Sequence, residues 1–87
     1  MQKKISNGSS TATVVDVKLI MKEALDANAN TLVISHNHPS GNLQPSEADK
    51  ALTNKIKEAA ALMDIRLVDH IIIAGATYFS FADEGLL

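Results

Sequence analysis

The chain has no cysteine. That absence excludes disulfides and cysteine-ligated zinc ribbons. Aromatic residues are nearly as scarce: one tyrosine, two phenylalanines and no tryptophan in 87 residues. Any core must therefore be built from Ile, Leu, Val, Ala and Met. Basic residues do not accumulate. The formal net charge is −2, and Lys3-Lys4 is the only adjacent basic pair. A nucleic-acid module usually carries a basic footprint, so charge does not support direct nucleic-acid binding. No apolar run approaches the ~18–20 residues that would cross a membrane. Met1-Gln2-Lys3-Lys4 is followed by no apolar stretch, so the start does not read as a signal peptide, and cytoplasm is the default expectation. Only two prolines occur, and both fall between residues 34 and 49.

What is present is the composition of a globular domain. Hydrophobic residues make up 46% of the chain, with charges interspersed. Eighty-seven residues allow one domain, of modest buried fraction and marginal stability. We expect a short strand near Lys3 to Ser6, then a loop, then the end of a strand at Thr13-Val14-Val15. Asp16 suits an N-cap. A helix over 17–28 follows, with Val17, Ile20, Met21, Ala24 and Leu25 on its apolar stripe. Asn28-Ala29-Asn30 closes it. The apolar run over 31–36 reads as a strand buried on both faces. Ser46 reads as the N-cap of a second helix over 47–63, whose apolar positions include Ala48, Ala51, Leu52, Ile56, Ala59, Leu62 and Met63. Arg66 to Ala74 is a strand, Gly75-Ala76 a tight turn, Thr77 to Phe81 its hairpin partner, and Ala82 to Leu87 a tail. The alternation β, α, β, α, β, β indicates a layered α/β unit.

The chemistry concentrates between Ile34 and Asp49, in the run Ile-Ser-His-Asn-His-Pro-Ser-Gly-Asn-Leu-Gln-Pro-Ser-Glu-Ala-Asp. In extended backbone, side chains i and i+2 point to one side. His36 and His38 can converge, and Asp49, in the first turn of the next helix, can supply a third ligand. Two imidazoles and a carboxylate, with room for water, is the donor set of a catalytic zinc site rather than a closed structural one. The plainer reading of Ser46 and Asp49 is a capping box, each bonding the other's backbone N–H. Pro39, Ser40, Gly41 and Pro45 read as loop-shaping. Asp69 and His70 point to opposite faces of their strand. One of them could back the site, but the simpler reading is an interior histidine and an edge carboxylate. Tyr78, Phe79 and Phe81 read as core and surface rings.

His36, His38, Ser46 and Asp49 together match the spacing His-x-His, seven residues, Ser, two residues, Asp. This resembles the JAMM motif of the MPN+ metalloproteases. The wording around it, with Asp69-His70-Ile71-Ile72-Ile73 further on, is similar to RadC-type proteins of bacteria. The resemblance covers the chain from about Gly8 to the end. It implies a three-layer α-β-α fold with a mixed sheet, similar to the cytidine deaminases, in a single domain over 1–87 that lacks the strands family members place upstream. Deaminase chemistry is not implied, because the His-x-Glu and Pro-Cys-x-x-Cys signature is missing. The resemblance implies one zinc ion on His36, His38 and Asp49, Ser46 as an oxyanion donor, and hydrolysis of peptide or isopeptide bonds. It also implies a catalytic glutamate upstream of the His-x-His, and this chain has no Glu before Glu23. The chain itself is therefore expected to be a weak or inactive hydrolase, with Glu23 and Glu58 facing solvent. The competing expectation is a non-enzymatic interaction module tied to DNA repair or mobile-element functions. A homodimer through an unpaired sheet edge is expected as well.

Overall fold

A computed structural model of the chain describes residues 1–5, 16–38 and 40–87. The expected strand end at Thr13-Val14-Val15 and the loop before it lie outside the described residues, as does Pro39. The elements are β1 (Gln2–Ile5), α1 (Val17–Asp26), β2 (Thr31–Asn37), α2 (Glu47–Leu62), β3 (Arg66–Ala74) and β4 (Thr77–Ser80). They form one four-stranded mixed sheet in the order β1-β2-β3-β4. The first three strands are parallel, and β4 returns antiparallel on β3. No helix among the described residues is long and apolar enough to cross a membrane.

Parallel neighbours require crossovers, and α1 and α2 supply them. Both crossovers step in the same direction across the sheet. Right-handed connections then place both helices on one face. The core agrees: Ile20, Met21 and Ala24 of α1 and Ile56 and Ala60 of α2 pack with Leu32, Ile34, Ile65 and Leu67. Of three expected layers, the described residues hold two, a sheet and one helical layer. This placement corrects the reading of β2 as buried on both sides. Its helix-facing residues Leu32, Ile34 and His36 are buried, while Val33 and Ser35 opposite are only half-buried.

The helices begin as the sequence indicates. The Asp16 carboxylate accepts from the Lys18 N–H at 2.9 Å. α1 ends sooner than expected, because Asn28 turns left-handed at φ 52° and the Ala29 N–H bonds back to the Ala24 carbonyl. Asp64, φ 57°, ends α2 in the same way. Several stripe positions are not in the core. Leu25, Leu62 and Met63 are exposed, Leu62 at 88%. Leu25 and Met63 instead border a surface cleft between the helices, with Val17, Met21 and Ala59. Glu23 differs from its expectation too, being half-buried. The last residues are more than a tail. The Leu86 N–H bonds to the Phe81 carbonyl at 2.8 Å, and Leu87 packs against the core.

One irregularity decides what faces the helices. Leu32 pairs with Leu67, but Val33 pairs with Asp69, so Val68 is an extra residue in β3. Such a bulge reverses the alternation beyond it. Leu67 faces the core before it; His70, Ile72 and Ala74 are buried after it. An unbroken strand would have sent His70 to the opposite face from Leu67.

Candidate metal centre

β2 delivers the histidines. His36 is its last inward residue and is 4% exposed. His38 lies one residue past the strand, yet its N–H still bonds the Ile73 carbonyl at 2.9 Å. That bond extends the pairing with β3 and keeps His36 and His38 on one side. The loop then folds back on itself. The Gly41 N–H reaches the His38 carbonyl, and Gly41 takes φ 79°, which only glycine adopts without strain. Gln44 N–H bonds the Asn42 side chain at 2.9 Å, and Pro45 is buried. The turn brings the Asn42 carbonyl to 2.7 Å from His38 Nδ1.

α2 delivers the carboxylate. Ser46 is its N-cap, and the capping box is complete. The Asp49 N–H donates to Ser46 Oγ at 3.0 Å, and the Ser46 N–H donates to Asp49 Oδ2 at 2.8 Å. Capping and convergence do not compete, because the same carboxylate does both. Asp49 Oδ1 lies 3.4 Å from His36 Nε2, and Oδ2 lies 3.2 Å from His38 Nε2. The two Nε2 atoms are 2.9 Å apart. Among the described residues, His36, His38 and Asp49 form a group that could hold a metal ion.

The electrostatics favour a cation there. A carbonyl can only accept, so His38 Nδ1 carries the hydrogen it gives to Asn42, and in the neutral ring Nε2 presents a lone pair. Burial lowers the His36 pKa, against the pull of the Asp49 charge, so its ring tends to neutral. Burial works to raise the Asp49 pKa. The Ser46 hydrogen bonds and the two imidazoles outweigh it and hold the carboxyl below its usual range. Two imidazole nitrogens and an ionised carboxylate thus converge, a donor set that suits a metal ion.

A second tier of residues stands behind His36. His36 Nδ1 is 2.8 Å from His70 Nε2, and His70 Nδ1 contacts Thr53 Oγ1. Phe81 stacks on the His70 ring at 4.7 Å and 10°. His70 is fully buried, and burial, reinforced by His36, pushes its pKa down to about 4. So of the pair at 69–70, the histidine is both interior and in contact with a site residue. Asp69 is elsewhere: its carboxylate takes the His70 N–H, the Ser80 hydroxyl and the Ala82 N–H, and so anchors the C-terminal turn. Sequence reasoning missed Thr53. Its position four residues after Asp49, one helical turn on, was the available signal.

Ser46→Ala is expected to cost about 1 kcal/mol of folding stability, the usual loss when a hydroxyl N-cap is removed. Ser46→Thr should restore most of it. Urea unfolding of the three proteins is the check, and an unchanged midpoint in Ser46→Ala would contradict the capping role.

A mixed α/β sheet with one helical layer, carrying a His-x-His at a strand end and a carboxylate at the next helix start, defines a domain class with a potential metal centre. The chain belongs to the RadC-like JAB domain family, whose model matches residues 1–86. The curated relatives agree. A UPF0758 protein of Flavobacterium johnsoniae is 48% identical over 82 residues, spanning 94% of this chain and 36% of the relative. Those of Porphyromonas gingivalis and Coxiella burnetii are 49% and 50% identical over 84 residues, with 37% and 38% of their length covered. The chain thus spans little more than a third of the relatives it matches.

Proposed function

We propose that His36, His38 and Asp49 bind one zinc ion, and that this centre serves the hydrolysis of peptide or isopeptide bonds. The observation that carries the proposal is the convergence of the three side chains. A tetrahedral zinc with bonds of ~2.0–2.1 Å keeps its ligand atoms roughly 3.3 Å apart. The two Nε2 atoms are 2.9 Å apart, and each has an Asp49 oxygen near that value, Oδ1 at 3.4 Å from His36 and Oδ2 at 3.2 Å from His38. Three protein ligands leave a fourth position, the mark of a catalytic rather than a structural site.

Zinc bound there would lower the pKa of its water to ~7 and polarise a scissile carbonyl. The chain's own residues supply the rest. Asn42 holds His38 by the ring nitrogen away from the site. The Ser46 backbone holds the Asp49 carboxylate toward the histidines. The Ser46 hydroxyl accepts from the Asp49 N–H and keeps its own hydrogen. It is exposed at the helix start, where it would donate to a developing oxyanion. No glutamate belongs to the metal-binding group. The upstream glutamate that the family resemblance implies as base has no counterpart before Glu23, and slow turnover is the reading for this chain.

The test uses fluorogenic peptide and isopeptide substrates with metal-free, zinc-loaded and chelator-treated protein. Slow turnover that needs zinc and disappears in Asp49→Asn is expected. Cleavage indifferent to both chelator and Asp49→Asn would defeat the proposal.

A further inference from the structure

Thr53 has one hydroxyl hydrogen, and the Asp49 backbone carbonyl takes it at 2.7 Å. Toward His70, the Thr53 oxygen can therefore only accept. His70 Nδ1 lies against that oxygen, so Nδ1 carries the His70 hydrogen. A neutral imidazole has one N–H, which leaves His70 Nε2 as an acceptor. His36 Nδ1 sits 2.8 Å from it and must donate. With its hydrogen on Nδ1, His36 presents a bare Nε2, the atom that faces His38 Nε2 and the Asp49 carboxylate. The chain of hydrogen bonds starts on the backbone of one site residue and ends on the ring of another. Nothing exposed takes part: His36, Thr53 and His70 are all buried.

We propose that Thr53 and His70 are positioning residues, which fix His36 in the tautomer whose Nε2 lone pair is free to bind metal. The inference rests on the metal reading above, since it concerns how one of those ligands is prepared. Partners on the far nitrogen of a ligating histidine commonly orient the ring and set its tautomer. Here the partner is a second histidine, which could in principle face His36 with either a hydrogen or a lone pair. Thr53 removes that ambiguity. The Phe81 ring, stacked on His70, holds the plane in which the relay lies.

The test has two parts. In metal-free, nitrogen-15-labelled protein, two-bond proton–nitrogen correlations read which ring nitrogen of each histidine is protonated. Nδ1–H at both His36 and His70 is expected, and Nε2–H at His36 overturns the proposal. Thr53→Val then keeps the shape of the side chain but removes the acceptor. His70 is expected to turn its hydrogen toward His36, His36 to move its own to Nε2, and zinc affinity to fall ~10–100-fold. Thr53→Ser should restore both tautomer and affinity. A purely structural Thr53 would lower the melting temperature and leave tautomer and affinity alone; that result in folded Thr53→Val overturns the proposal. The two readings fail differently. Protein with the expected tautomers but no zinc uptake would remove the metal reading and leave the relay. Protein that takes up zinc but protonates His36 at Nε2 when metal-free would do the reverse.

Discussion

Replacing His36 and His38 together by alanine is expected to abolish stoichiometric zinc binding. Two of the three proposed ligands go, and the half-buried Asp49 carboxylate is left with no imidazole beside it. The two replacements differ in their effect on folding. His36 is buried and bonded to His70, so its loss leaves a buried ring nitrogen unpaired at a cost of ~1–3 kcal/mol. The His38 ring is half-buried and, among the described residues, bonds a loop carbonyl and its site neighbours. The His38→Ala single variant should therefore weaken zinc binding strongly at little expense to stability. Metal content per chain after exhaustive dialysis, with circular dichroism as the folding control, is the measurement. One zinc per chain retained in the double variant would rule the site out.

A longer version of the protein carrying a glutamate on a strand ahead of His36 is expected to exceed the 87-residue chain in zinc-dependent peptide turnover. The expected factor is ~10²–10⁴, the usual worth of general-base help. None of the four glutamates present lies on a strand ahead of His36. Glu47 and Glu58 are exposed on α2, and Glu84 is exposed in the C-terminal turn. Glu47 lies 3.5 Å from Lys50 and places its charge at the helix N-terminus, where the dipole favours it. Glu23 is half-buried on α1 and outside the metal-binding group. Side-by-side assays on the same peptides decide the matter. Equal turnover by the two proteins would mean that one of these carboxylates, or a partner subunit, supplies the base.

What the sequence revealed, and what it hid, follows from the range of each interaction. The start of α2 was legible because Ser46 and Asp49 bond each other three residues apart, through contacts a local pattern can express. Likewise, His36 and His38 were placed on one side by the two-residue period of extended chain. β3 was read over its full span from its β-branched run. Burial was harder. β2 opens on a run of β-formers that suggests burial on both faces, and only the placement of both helices on one face leaves Val33 and Ser35 half-covered. Leu25, Leu62 and Met63 keep helical period and still lie exposed, because period fixes a face and not what packs on it. Which of Asp69 and His70 stands behind His36 was hidden by Val68. A single extra residue changes which side of β3 meets α2, and no local pattern announces it.

The central claim is that His36, His38 and Asp49 bind zinc together. X-ray absorption at the zinc edge, on protein loaded with one equivalent and dialysed, tests it most directly. The account predicts four nitrogen or oxygen neighbours at ~2.0–2.1 Å, with the outer-shell scattering of two imidazoles and a changed spectrum in Asp49→Ala. Zinc lost on dialysis, or a retained ion without imidazole scattering, would contradict it.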